Sequence, residues 1–380
     1  MYDLLVTGGT VVDPSQGINE LLDVAFHNGK VATVGKSIPD SKAMEVVDAH
    51  GKYVVPGLID LHVHNYWGVS HYGIDPDITN ISKGVTTAID AGSAGAATFA
   101  AFRKYVLERA DTRLYALLNI SLTGMISRNI GELEELRYAD VGQASRVGNQ
   151  NRDYIIGIKA RLSEDITHEH DTESIKRALE AAQAIGGFVM IHVGNTATPM
   201  EKLVELLRPG DVVTHSFHGN KSGILDDAGK VIDSFIDARN RGVVFDVGHG
   251  AGSFSFEVAE RALADGVYPG TISSDLHVYN VEGPVFDQVT TISKFMWLGM
   301  SLYEVIRLTT ETTAQTIGRS DKLGTLKPDS IGDAAILSLD CGRFTLTDSV
   351  GRSITTSTKL SHVSTIRSGK LYKPWLTARA

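Results

Sequence analysis

The chain has 380 residues, 45 acidic against 36 basic for a formal net charge of −9, with 13 histidines and one cysteine. A charged fraction of 21% beside 42% hydrophobic residues is ordinary for a soluble globular protein, which excludes wholesale disorder and collagen-like or mucin-like sequence. Cys341 alone can form neither an intrachain disulfide nor a cysteine-rich zinc cluster, so any metal must sit on histidine and carboxylate side chains.

In chain order, the first fifty-odd residues alternate short β-rich runs with turn signals: YDLLVTGGTVVD, LLDVAFHNGKVATVG and EVVDAHGKYVVPG. Asn28-Gly29 and His50-Gly51 fall where tight hairpin turns are expected, which predicts a small antiparallel β unit. After Pro56 the pattern changes to brief apolar strands, each followed by a longer amphipathic stretch, as in βα repeats. Eight strands are predicted, near 57–64, 85–92, 114–121, 154–160, 187–193, 211–216, 242–248 and 270–277. Between them, 172–185 and 200–207 carry apolar residues at three- and four-residue spacing, which predicts helices. Eight βα units predict an α/β fold of the (β/α)8 TIM-barrel type. After about residue 325 the sequence is again β-like and Gly-punctuated. The expected organisation is therefore a barrel over 56–325 and one small β-sandwich domain built from both ends, residues 1–55 with 326–380.

The candidate chemistry lies at the strand ends. Residues i and i+2 of a strand share a face, so His62 and His64 at the end of the first strand can both enter the barrel mouth, where barrel enzymes place their sites. A single His-x-His is weak evidence in a chain with 13 histidines. His168-Glu169-His170 shows why: it sits in the polar stretch SEDITHEHDTES and reads as a solvated loop or helix start. What strengthens the first pair is recurrence, because His192 ends the fifth strand, His215 the sixth and Asp275 the eighth. The plainer reading of each residue is a helix cap or a hydrogen bond to backbone; the convergence of all five favours a metal site. Lys159 ends the fourth strand. As an ammonium it has no lone pair for a cation, so it is either modified or pairs with Asp275 or a substrate charge.

This set of residues resembles the amidohydrolase superfamily, and the resemblance spans nearly the whole chain, from VVPGLIDLHVH (54–64) to LGTLKPDSIGDAAIL (323–337). The likeness is to its dihydroorotase-like and deacetylase-like group. In dihydroorotase-like and hydantoinase-like members the strand-four lysine is carboxylated by CO2, and the carbamate bridges two divalent metals. Carried over, the resemblance implies that His62, His64 and Asp275 hold one metal, His192 and His215 the other, and N6-carboxylated Lys159 bridges them, with Zn2+ as the expected ion. Two such cations, typically about 3.5–4 Å apart, bring a bridging water to hydroxide near neutral pH and polarise a carbonyl. Asp275 would serve as general base and acid. No nucleophilic Ser or Cys is required, and Cys341 reads as structural.

Around this centre Tyr66, Arg161, Asn195, His249 and His277 are the substrate-binding candidates, with Asn65 and His218 also just past strand ends. Arg161 could grip a substrate carboxylate, or pair with Glu164 or Asp165. His249 and His277 could donate to a developing oxyanion, or only orient a ligand. The Gly-rich stretch 248–256 lacks the Gly-Lys-Ser/Thr ending of a phosphate loop and reads as a substrate-access segment.

The expected activity is hydrolysis of an amide or ester of a small acylated, above all acetylated, acid. The alternative is a cyclic amide hydrolase of dihydroorotase or hydantoinase type, although no clear Arg/Asn set for a dihydroorotate carboxylate is visible. A mononuclear deaminase fits less well, because His192 is followed by Val-Gly-Asn195 where such enzymes carry His-x-x-Glu. A non-catalytic scaffold fits less well too, since every expected ligand is present. The MYDLLVTGG start has no basic stretch before an apolar run, and no window approaches the ~18 apolar residues of a membrane span, so a cytoplasmic protein that does not enter membranes is expected. With no long Lys/Arg block, the expected partner is a small molecule rather than nucleic acid, and a homo-oligomer is compatible with the sequence.

Overall fold

A computed structural model describes residues 1–373. The N-terminal run forms β1 (Tyr2–Asp13), β2 (Ile18–His27), β3 (Lys30–Gly35), β4 (Ala43–Asp48) and β5 (Tyr53–Pro56). Seven strands follow within the repeat region: β6 (Leu58–Val63), β7 (Val85–Gly95), β8 (Arg113–Asn119), β9 (Ile155–Leu162), β10 (Phe188–Val193), β11 (Val212–Thr214) and β12 (Val244–Phe245). The C-terminal stretch supplies β13 (Ala334–Thr347), β14 (Ser353–Arg367) and β15 (Lys370–Leu371).

Strands β6 to β12 form one sheet in chain order, parallel throughout. The expected eighth strand is not a regular one, yet its segment bridges both sheet edges: Asp246 pairs with Thr271 and Val63 with Leu276. Backbone bonds run from Asp275 N to His62 O (2.7 Å) and from His64 N to Leu276 O (3.1 Å) on one side, and from Val247 N to Thr271 O (3.1 Å) on the other. A continuous ladder is prevented because Asp275 adopts a positive φ of 49°, outside the extended region. Side chains do part of the ladder's work instead. Gln288 Nε2 donates to both Ile59 O and Ile272 O at 3.0 Å, tying the first strand to the last segment, and Asp60 Oδ1 accepts from Ser274 N at 3.0 Å.

Below the strand ends, Ile59, Leu61, Ile89, Ala91, Leu117, Met190 and Val212 form an apolar cluster closed by Ala314, Ile317 and Leu323. A larger cluster joins the strands to the surrounding helices. Helix Asp171–Ile185 buries Ile175, Ala178, Ala182 and Ile185, the three- and four-residue spacing that predicted it. The second predicted helix runs from Met200 to Glu205.

Both chain ends do pair with each other. Hydrogen bonds join them into a single eight-stranded sheet, β15-β14-β13-β5-β1-β2-β3 with β4 also on β1. Asn28 and Gly29, at φ 52° and 77°, make the predicted tight turn between β2 and β3. The unit is mixed rather than antiparallel, because β4 and β5 on either side of His50-Gly51 both run parallel to β1. An irregularity in β1 at Gly8–Gly9 allows this: its first half pairs with β4 and its second with β5. Gly8 has φ 71°, and a Cβ there would strike the His50 ring at 2.3 Å. Residues 374–380 of the expected C-terminal unit lie outside the described residues.

Candidate metal centre

His62 and His64 leave the end of β6 with their rings toward Asp275. His62 Nε2 lies 3.3 Å and His64 Nε2 3.1 Å from Asp275 Oδ1. His215, just past β11, joins them, and one ligand atom each of His62, His215 and Asp275 falls within 4.8 Å of the others. His192, at the end of β10, packs its ring 4.4 Å from that of His215. The fifth strand-end candidate is thus adjacent to the same cluster.

The hydrogen bonds behind these rings decide which nitrogen faces the centre. Asp246 accepts from the hydroxyls of Thr214 (2.7 Å), Thr271 (2.7 Å) and Ser273 (2.6 Å). Having given its proton to Asp246, Thr214 Oγ1 can only accept from His62 Nδ1 at 2.8 Å, so Nε2 of His62 carries the lone pair. His215 Nδ1 donates to Gly248 O at 2.6 Å with the same result. His64 Nδ1 contacts Ser93 Oγ at 3.0 Å. Burial holds all these imidazoles neutral: His62, His64 and His192 are pushed well below the usual histidine range and His215 down to about 3, desolvation being the largest cause in each case. His215 and Asp275 both sit at positive φ, 67° and 49°, strain of the kind that persists where surrounding structure over-determines it.

The neutral Nε2 lone pair of His62 therefore meets a carboxylate oxygen with no proton between them, and Asp275 Oδ1 is buried with no hydrogen-bond partner. Such a set of acceptors is repulsive until a cation enters. The residues present fit a divalent metal.

Lys159 is fully buried within β9, which continues past it through Ala160, Arg161 and Leu162, rather than at the strand's end. Its Nζ reaches only His62 Nε2 (3.5 Å) and Met190 Sδ (3.2 Å), and no ion pair with Asp275 forms among the described residues. Burial pulls the amine down to about 7. The unprotonated amine has a lone pair that the ammonium lacks. Gly92 leaves space for the Lys159 stem: a Cβ at this φ 90° position would lie 2.7 Å from Lys159 Cβ and Cγ.

The substrate candidates divide. His277 lies at the centre, its Nε2 3.9 Å from Asp275 Oδ2; Nδ1 accepts from Tyr279 N at 3.2 Å, so Nε2 carries the proton. Arg161 is close by, but its acidic partner is neither Glu164 nor Asp165. Nη1 donates to buried Glu132 at 3.3 Å, and the guanidinium lies over the Tyr72 ring at 5.6 Å. Tyr66 is buried away from the mouth, with its hydroxyl on Thr98 O (3.1 Å) and its ring on Phe102. Asn195 is exposed and contributes its carbonyl to Glu164 N. His249 has both ring nitrogens taken, by Gly250 O (2.9 Å) and Lys294 Nζ (2.7 Å). Asn65 is buried on Asp90 and Asn80, and His218 is buried with Nε2 unpartnered.

Several residues of the site escaped the sequence reading. Tyr72 stacks on His64 at 5.1 Å between ring centres and packs against His277 at 4.6 Å. Nothing in a loop tyrosine's sequence context announces this. Asp246 did carry a signal, as a carboxylate inside the apolar run VVFDV.

Residues 53–372 match the model of the amidohydrolase family. The chain belongs to the amidohydrolase family. It is a hydrolase acting on C–N bonds, and the family's metal dependence agrees with the His/His/Asp cluster. Over 374 residues this amidohydrolase is 33% identical to a protein named deacetylase from Enterococcus faecalis, covering 98% of the chain and 99% of that protein. A crystal structure titled as an adenine deaminase superposes with a TM-score of 0.90 at 34% identity, over 98% of this chain and all of that one. Another titled as a dihydroorotase gives 0.90 at 32%, over 98% and 97%. Among the described residues of this amidohydrolase, no helix is long and apolar enough to cross a membrane.

Proposed function

We propose that this amidohydrolase is a binuclear, metal-dependent deacetylase of a small acylated acid. The observation that carries the reading is the unpartnered, buried Oδ1 of Asp275 facing two neutral histidine nitrogens. His62, His64 and Asp275 would hold one divalent ion, His192 and His215 a second, and Lys159, carboxylated, would serve both; Zn2+ suits these donors. The closed (β/α)8 barrel over 56–325 houses the centre, and the terminal segments form the accompanying β unit. When bound, such ions supply Lewis acidity and an activated water.

The chain's own residues do the rest. Asp275 Oδ2 takes up the proton of the water that attacks the acyl carbonyl, then returns it to the leaving nitrogen or oxygen as the C–N or C–O bond breaks. His277, with its proton-bearing Nε2 3.9 Å from that oxygen, lines the same side of the centre. Arg161, oriented by Glu132 and Tyr72, is placed to receive a substrate carboxylate. The deacetylase name of the Enterococcus relative supports this reading over its full length.

Cyclic amide hydrolysis is the second reading, favoured by the dihydroorotase title of one structural neighbour. The two are separated by assaying the Zn2+-loaded enzyme against N-acetyl amino acids, acetylated hydroxy acids, hydantoins and dihydroorotate. Turnover of the acetylated acids is expected; turnover of the cyclic amides alone would overturn the deacetylase assignment.

A further inference from the structure

One buried lysine near the centre has no part in the scheme above. Lys294, on helix Gln288–Trp297, is fully buried. Its Nζ reaches His249 Nε2 at 2.7 Å, Pro284 O at 2.9 Å and Thr347 O at 2.7 Å. An ammonium has three protons and no lone pair, so the three acceptors complete it. His249 must then accept at Nε2 and donate from Nδ1 to Gly250 O.

The segment held this way shapes the metal centre. Gly248 O is the acceptor that fixes the His215 tautomer, at 2.6 Å. Residues 248 and 250 press so closely on the centre that a Cβ on Gly248 would lie 2.8 Å from His215 Nδ1, and one on Gly250 2.5 Å from Asp275 Oδ2. The far side of the segment is held by the β13–β14 hairpin tip. There Ser349 Oγ lies 2.8 Å from Gly250 O and 3.1 Å from His249 O, while Ser349 N donates to Phe254 O at 3.0 Å.

We propose that Lys294 is a positioning residue that, through His249, locks residues 248–250 in the conformation aiming His215 Nε2 and Asp275 at the metal. The hairpin tip Thr347–Ser349 is the second jaw of this clamp. The terminal sheet is on this account part of the catalytic assembly, because residues nearly 100 positions downstream hold the backbone that orients His215. The inference rests on reading the site as a metal centre.

The test is Zn2+ affinity, by chelator competition, for wild type, Lys294→Met and Ser349→Ala, with the absorption spectrum of the Co2+-substituted proteins as a second readout. Residues that orient metal ligands typically contribute about 10–100-fold in affinity. Lys294→Met is expected to weaken binding by about that factor and Ser349→Ala by roughly 3–10-fold, each with an altered cobalt spectrum and, for Ser349→Ala, an unchanged melting temperature of the metal-free protein. Ser349→Ala leaves no buried charge unpaired, so it decides the matter even if Lys294→Met does not fold. Affinities within twofold of wild type and an unchanged cobalt spectrum would overturn the clamp while leaving the metal centre standing. A wild-type protein that binds no metal would overturn both.

Discussion

The floor of the barrel mouth and its rim are built on different principles. On the floor, His62, His64, His215 and Asp275 are buried, and each histidine's second nitrogen is engaged by a hydroxyl or carbonyl. On the rim, Arg161 leans on Glu132 and Tyr72 from other segments, Asn195 is exposed, and Tyr66 has turned away to pack on Phe102. The floor is fixed by strand ends, where the sheet leaves each side chain one direction to take. The rim is fixed by loops, where direction depends on what other loops do. A metal site requires the first kind of construction; a specificity site can vary on the second.

Substitutions should separate the two regions by size of effect. Asp275→Asn removes the proton acceptor and one charge of the ligand set, and a loss in kcat of about 10^3-fold or more is expected; retention of a tenth of the activity would move the general base elsewhere. Thr214→Val strips the acceptor from His62 Nδ1 and one donor from Asp246. Metal affinity should fall by about 10–100-fold, measured by chelator competition, with a smaller loss in activity at saturating metal. Arg161→Lys keeps a positive charge beside Glu132 but removes the planar fork. KM for carboxylate-bearing acetyl compounds should rise roughly 10-fold, with little change for an uncharged acetyl ester; equal changes for both would leave Arg161 a structural partner of Glu132. Asn195→Ala, at the exposed end of this scale, should alter kcat/KM by no more than about twofold.

The same contrast explains what could be read in the sequence. Period-two alternation and strand-end position located His62, His64, Lys159, His192, His215 and Asp275, because a parallel sheet converts sequence position into spatial position almost one to one. Seven of eight strands lie where the apolar runs place them. The eighth departs because Asp275 takes a left-handed conformation and Gln288 and Asp60 supply bonds a regular strand would have made. Those partners are distant in sequence. So are Glu132 for Arg161 and Lys294 for His249, and local pattern carries no information about them. The terminal sheet shows the same limit. Its strands were legible, but the parallel pairing of β4 and β5 with β1 depends on the irregularity at Gly8–Gly9, a tertiary outcome.

The account stands on a cation entering the cluster around Asp275 Oδ1. Elemental analysis of the protein purified without chelator tests this most directly, set beside the same analysis of Asp275→Asn. The wild type should carry about two equivalents of divalent metal per chain, and the variant clearly fewer, with hydrolytic activity following the metal content. A folded wild-type protein that holds no divalent metal and hydrolyses its substrate unimpaired in chelator would contradict it.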